Sequence, residues 1–326
     1  MNEQRTDGPS LREACALWAT WGVVAALVFI TYARLPARDF YNVSGSGVTG
    51  GAARVVVLLG WPISLAAIPL MAVAVDRLLG RPLTGGQRRA VITAAWVALA
   101  LCATIAWPGV IKQSNLDAKW SNGLAATGVG IAVAITVVAV RRRGMGPQRP
   151  VTTGDWVGIV LLAAMGAAAL PWIFANVGVY VGDIPGLKAV FMSEKILPEP
   201  GHPHLHAVHL GNHEGLDGWL LAATALGLRR ALPGMRATRL RPVLGVYLAL
   251  LLGYGVMVAA NDFWHEQLVK RGTTSYMLPD VITPGLAWGW GLLLVATAVM
   301  YRVGFRVPRA SPSTDLPPMP EGRISL

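Results

Sequence analysis

The chain has little cysteine and little charge. Only two of its 326 residues are cysteines, Cys15 and Cys102, and both lie within or at the edge of apolar stretches. A disulfide framework or a thiolate metal site is therefore not expected. Charged residues make up only 14% of the chain, whereas hydrophobic residues make up 54%. This composition is typical of a polytopic membrane protein.

Long apolar runs are abundant. Eight of them approach the roughly 20 residues that cross about 30 Å of hydrocarbon. The first run is expected to be a retained anchor, because it lacks a small-residue cleavage site. The sequence therefore predicts an all-α, polytopic transmembrane helix bundle of about eight spans. The runs are 14–33, 55–75, 90–107, 123–140, 156–176, 216–232, 242–261 and 284–303.

Basic residues exceed acidic ones, which gives a net charge of +11. They are spread between apolar runs rather than gathered on one domain, so they indicate membrane topology and no nucleic-acid partner is expected. If the N-terminus is cytoplasmic, 19 of the 28 lysines and arginines fall in inner segments. We therefore expect cytoplasmic N- and C-termini and a multi-pass protein of the inner or plasma membrane, with membrane lipids as its surroundings.

The predicted domain organisation is simple. Residues 1–13 form a cytoplasmic N-terminus, and 14–305 form a single transmembrane domain with a His-rich outer segment at 177–217. Residues 306–326 are rich in proline and serine and poor in apolar residues. Such a composition cannot bury enough apolar surface to fold, so this tail is expected to be disordered in the cytoplasm.

Histidine is concentrated in one place. The stretch "HPHLHAVHLGNHEGLDGW", residues 202–219, contains five of the six histidines. If a helix begins near His204 and continues into the 216–232 run, four side chains share a stripe about 80° wide. Gly215 and Gly218 then lie on the opposite face, where small residues allow a close helix neighbour. The four side chains on the stripe are His206, His209, His213 and Asp217.

A second polar cluster ends the run at 242–261. In "NDFWHEQLVKRG", residues 261–272, Asp262, His265 and Glu266 have the i, i+3, i+4 spacing of one helical face. The linker between the sixth and seventh runs is short, which predicts antiparallel neighbours whose polar clusters meet near the outer membrane boundary.

Imidazole and carboxylate groups together are ordinary ligands of a divalent metal, zinc first, with iron or manganese as alternatives. Either Glu214 or Glu266 is a candidate general base, because hydrolysis at a metal needs a carboxylate near the bound water. The predicted metal ligands are His206, His209, His213, Asp217, Asp262 and His265.

These patterns favour an integral membrane, metal-dependent enzyme, a hydrolase or an oxidoreductase, at the extracytoplasmic face, acting on a lipid-linked or envelope substrate. The alternatives are a metal or small-solute binding or transport protein, and a redox subunit with haem held by His213 and His265. A hydrogen-bonded structural cluster, or a solvated histidine-rich loop, would explain the same residues without a metal. The centres of the apolar runs hold no Asp, Glu, Lys, Arg or His, which argues against an ion-coupled transporter.

Two stretches resemble a known but uncharacterised family. "YNVSGSGVTGGAARVVVLLGWPISLAAI" at 41–68 and "AVHLGNHEGLDG" at 207–218 are similar to polytopic membrane proteins of high-GC bacteria. The resemblance implies a single membrane unit over about 14–305. It implies no activity and no catalytic residues.

Overall fold

The structure is a computed structural model. Helical residues make up 78% of the structure, and its described part contains no β-strand. The predicted all-α class is therefore confirmed. The described residues are 8–34, 50–80, 82–107, 118, 120–176, 184–187, 190, 195–196, 213–279, 281–282 and 287–307.

Ten α-helices lie within the described residues. They are α1 (Arg12–Arg34), α2 (Gly50–Gly60), α3 (Pro62–Leu79), α4 (Gly85–Ala103), α5 (Trp120–Arg143), α6 (Thr153–Ala168), α7 (Leu170–Asn176), α8 (Gly215–Arg229), α9 (Leu240–Trp264) and α10 (Trp288–Met300). One π-helical turn, His265–Val269, continues α9, and another, Tyr301–Phe305, continues α10.

Each predicted apolar run coincides with a helix or a helix pair, although not every helix is of spanning length. The runs at 156–176 and 216–232 fall on shorter helices, α6 with α7 and α8 respectively. Among the described residues, six helices are long and apolar enough to span a membrane, so the chain is a membrane protein and the count of eight is approximate. The six are Arg12–Arg34, Pro62–Leu79, Gly85–Ala106, Ser121–Arg143, Leu240–Val269 and Trp288–Phe305.

Two of the predicted spans are broken near a proline. Trp61 separates α2 from α3, which begins at Pro62, and Ala169 precedes α7, whose second residue is Pro171. Proline is tolerated in a first helical turn because its missing N–H has no intrahelical partner there. Both short helices reach the start of α8, because Arg54 of α2 pairs with Asp217 and Asn176 of α7 contacts the backbone of His213.

The segments predicted to face the cytoplasm lie together at one end of the bundle. Arg77 donates to the carbonyl oxygen of Arg143 at 3.1 Å, and Arg230 donates to that of Arg149 at 2.6 Å. We call this the arginine-rich end: residues 8–12, 76–80, 141–155, 229–241 and 301–307. The opposite end, here the histidine end, contains residues 50–54, 172–176, 213–217 and 262–270. Which end faces the cytoplasm stays a prediction.

Helices α8 and α9 are antiparallel neighbours in very close contact, as predicted. A Cβ atom at Gly218 would lie 2.5 Å from the carbonyl oxygen of Gly255, and one at Gly255 would lie 2.5 Å from that of Gly218. Only glycine allows two backbones to approach so closely. This crossing fixes the start of α8 at the level of the end of α9, which is where the site lies.

Candidate metal centre

The start of α8 decides which polar residues meet. The predicted helix from His204 into the 216–232 run is wrong at its junction, because α8 begins at Gly215 and His213 lies outside the helix. His213 and Asp217 therefore do not share a helical stripe. His213 turns toward α9, whereas Asp217 turns toward α2.

A buried group of three side chains could hold a metal ion. The Nδ1 atom of His213 lies 3.8 Å from Oδ1 of Asp262 and 3.9 Å from Oε1 of Glu266. One ligand atom from each residue lies within 4.8 Å of the others. The three side chains are only 4%, 8% and 7% exposed. We call this group the carboxylate–histidine site.

The spacing in this site is too wide for hydrogen bonds and close to that of metal ligands. Nitrogen–oxygen hydrogen bonds are about 2.7 to 3.2 Å long. Two ligands of a tetrahedral ion with 2.1 Å bonds lie about 3.4 Å apart. The observed 3.8 and 3.9 Å separations would therefore need only a small contraction around an ion.

A π-helical turn lies beneath the two carboxylates. After Trp264 the helix widens over His265–Val269, and the amide of Lys270 donates to the carbonyl oxygen of His265 at 2.9 Å. Single π turns inside α-helices are frequent at functional sites. The turn also places Nζ of Lys270 2.8 Å from Oε1 of Glu266, so the site includes an internal cation.

The connection that carries His213 is held by α7. Nδ2 of Asn176 donates to the carbonyl oxygens of Trp172 at 3.0 Å and of His213 at 3.1 Å. The buried Trp172 ring meets the imidazole edge-on, with centroids 6.4 Å apart. The imidazole thus approaches α9 from a fixed direction. Trp172 therefore packs directly against the site.

Asp262 is positioned by the first residue of α8. Its Oδ2 accepts a hydrogen bond from the backbone N–H of Gly215 at 3.0 Å, which leaves Oδ1 toward His213. A Cβ atom at residue 215 would lie 2.7 Å from that same Oδ2. Glycine is therefore required for this contact.

A second buried cluster lies one helical turn along α8. The guanidinium Nη2 of Arg54 is 3.3 Å from Oδ2 of Asp217, with side chains 1% and 0% exposed. The hydroxyl of Tyr32 lies beside Arg54 and donates to Oδ1 of Asn176 at 3.4 Å. Asn176 therefore connects this cluster to the backbone of His213.

The predicted site residues separate into two sets. The structure brings together two predicted ligands, His213 and Asp262, with Glu266, which was predicted as a general base. It does not bring in the rest. Asp217 belongs to the pair with Arg54, and His265 and Glu214 lie outside the group of three. His206 and His209 lie outside the described residues.

Sequence reasoning missed three contributors. Arg54 precedes the predicted run at 55–75, whereas in the structure it lies inside α2 and is buried. A signal existed, since an arginine in the middle of "GGAARVVVLLG" requires a buried counter-ion. Lys270 follows Glu266 at i+4, a spacing that predicts an ion pair. Asn176 had no comparable signal, because its role depends on how α7 packs.

The donor set suits a hard or borderline divalent ion. One imidazole and two carboxylates are found around zinc, iron and manganese. Three protein ligands leave at least one coordination position for water or substrate, which is the arrangement of catalytic rather than structural sites.

Comparison of the chain with protein-family models, with curated proteins and with solved structures finds no match. The functional argument therefore rests on the geometry of the site.

Proposed function

We propose that this chain is an integral membrane enzyme that uses a divalent metal ion at its extracytoplasmic face. The observation that supports the proposal is the convergence of His213, Asp262 and Glu266 from two sides of the α8–α9 contact. The uneven distribution of lysine and arginine supports the outward orientation of the histidine end.

The environment of Asp262 favours a metal over a closed ion-pair network. Among the described residues, no lysine or arginine lies within ion-pair distance of Asp262, and the imidazole of His213 is the one group at such a distance. A buried carboxylate without a counter-charge costs several kcal/mol. A cation bound between the carboxylate and the imidazole would supply the missing charge, and the 3.8 Å separation matches metal coordination better than a hydrogen bond.

The arrangement also provides for chemistry. A bound ion would supply Lewis acidity and a water molecule of lowered pKa. Oε2 of Glu266 is buried without a hydrogen-bond partner, so this carboxylate can either complete the ligand set or accept a proton from that water. Lys270 pairs with Oε1, the oxygen that lies 3.9 Å from Nδ1 of His213, and so fixes the orientation of the carboxylate.

The position of the site supports a lipid-linked or envelope substrate. It lies where α9 leaves its apolar stretch, at the end of a helix long enough to span a membrane. Zinc is the first candidate for the ion, with manganese and iron next. A haem is less well supported, because the group contains one histidine and two carboxylates, whereas haem iron is held by histidine, methionine, cysteine or tyrosine.

The test uses the full chain reconstituted in liposomes made from bacterial envelope lipid extract. Wild-type protein loaded with zinc, manganese or iron should consume one lipid species over time, as measured by mass spectrometry, and a chelator should stop the reaction. Asp262→Asn should be inactive, since it keeps the contact with Gly215 and removes a ligand. His265→Ala, a neighbouring residue outside the group of three, should retain activity.

Two results would contradict the proposal in different ways. If metal binds and no lipid species is consumed under any loading, the chain is a metal-binding or transport protein rather than an enzyme. If a lipid is consumed equally by Asp262→Asn, the reaction takes place elsewhere in the molecule.

A further inference from the structure

A cavity lies at the arginine-rich end of the bundle. It has a volume of about 360 Å³ and is bounded by the start of α6, the end of α8 and the segment Val303–Val307. Four guanidinium groups line it, those of Arg149, Arg229, Arg230 and Arg306. We call it the arginine cavity.

The positive charge of the arginine cavity is only partly neutralised. Asp155 lies 3.5 Å from Arg229 and 3.7 Å from Arg230, and Glu13 lies 3.8 Å from Arg230. Four guanidinium groups against these two carboxylates leave an excess of two positive charges. The cavity is therefore suited to an anion.

An apolar groove continues from the arginine cavity along the bundle. It has a volume of about 170 Å³, runs between α6 and α8, and shares Gly154, Asp155, Arg229 and Arg230 with the cavity. Its remaining lining includes Gly158, Ile159, Leu162, Ala223 and Leu226. The absence of a side chain at Gly158 keeps the groove open next to Leu226, which lies 3.5 Å from where a Cβ would be.

The groove opens toward the side of the bundle that faces lipid. Ile159 is 47% exposed, and Val157 and Val160 on the same helix are each 66% exposed. An apolar helix face this exposed is expected only where hydrocarbon covers it. A molecule in the groove would thus have one end among arginines and the other among acyl chains.

We propose that the arginine cavity and its groove bind one anionic phospholipid of the membrane leaflet at this end. The phosphate would accept hydrogen bonds from the guanidinium groups, which match its geometry. One acyl chain would lie along α6 over Gly158. Basic pockets between membrane helices bind anionic headgroups by this combination of charge and apolar contact. A soluble anion would use the cavity and leave the groove without a role.

This inference does not depend on the proposed enzyme. The arginine cavity lies at the opposite end of α8 from the carboxylate–histidine site. Loss of the metal site therefore leaves the lipid site intact, and the reverse also holds.

The test measures lipid binding to the full chain in phosphatidylcholine nanodiscs. Phosphatidylglycerol and phosphatidylcholine with identical acyl chains are compared by native mass spectrometry. Wild-type protein should retain phosphatidylglycerol, and Arg229→Gln with Arg306→Gln should bind it about tenfold or more weakly. The matched control is Arg88→Gln with Arg142→Gln, which removes the same charge from two exposed residues outside the cavity.

The single variant Arg306→Gln should fold normally, because Arg306 is exposed. It therefore distinguishes loss of lipid binding from misfolding. It should weaken binding several-fold without a change in thermal stability. Equal binding of the two lipids, or equal loss in the matched control, would overturn the proposal. Binding of inorganic phosphate that displaces phosphatidylglycerol and persists in its absence would assign the cavity to a soluble anion instead.

Discussion

Two buried charged clusters lie side by side at the histidine end, and they are built differently. In the first, Arg54 and Asp217 form a one-to-one pair at 3.3 Å. In the second, two carboxylates of one helix face an imidazole at 3.8 and 3.9 Å. In the first cluster the charges of Arg54 and Asp217 cancel. In the second, the distances between the imidazole and the two carboxylates leave room for a cation.

The different construction of the two clusters predicts different roles, stability for the first and ligand binding for the second. A buried ion pair without its partner is costly, so the first cluster should affect folding above all. In the second cluster the imidazole lies beyond hydrogen-bond distance of both carboxylates, so a change there should affect what it binds. Variants of the two clusters should therefore give opposite profiles of stability and metal content.

The largest expected effect is on stability. Arg54→Met leaves Asp217 buried without a counter-charge, which should lower the free energy of unfolding by about 3 to 5 kcal/mol. Thermal unfolding in detergent would measure it. Adding Asp217→Leu should recover most of the loss, since an apolar pair of similar volume replaces a buried ion pair at little cost. A single variant as stable as the wild type would show that the pair is not the structural cluster.

A smaller effect should come from the residue that joins the clusters. Asn176→Ala removes the hydrogen bond to the carbonyl oxygen of His213 without touching a ligand atom. Losses of this kind weaken metal affinity by about 10 to 100-fold. Isothermal titration of the metal-free protein with zinc would measure the change. Unchanged affinity would mean that packing against Trp172 is enough to hold the imidazole.

The smallest effect is an expected gain. Lys270 places an ammonium 2.8 Å from Oε1 of Glu266 and so competes with a metal for that oxygen. Lys270→Met should raise metal affinity by about 3- to 10-fold. The change is modest because water near the membrane surface screens the ammonium charge of Lys270. The same titration would measure it, with Lys195→Met as the charge-matched control. A fall in affinity would show that Lys270 orients Glu266 for binding.

The fold was predictable to the extent that it depends on apolar runs. Spans of hydrophobic residues gave helices at the expected places, and Gly218 lies at the close contact that its small size predicted. The pairing of α8 with α9 followed from the short linker between them.

The site was less predictable, because it depends on where one helix starts. A shift of that start from His204 to Gly215 sends His213 to α9 and Asp217 to Arg54. Helical periodicity cannot show such a shift, since the histidine spacing fits a helix equally well. An arginine within an apolar stretch could signal a buried counter-ion, but its pairing with Asp217 depends on how α2 packs against α8.

Metal content per protein after dialysis tests the central claim most directly. Wild-type protein should retain about one divalent ion, and His213→Ala or Asp262→Asn should each lose most of it, since removal of a ligand lowers affinity by more than the 10 to 100-fold of an outer-shell change. His265→Ala should keep the ion, because His265 lies outside the group of three. Full metal content in both ligand variants, or none in the wild type, would contradict the assignment of His213, Asp262 and Glu266 as a metal centre.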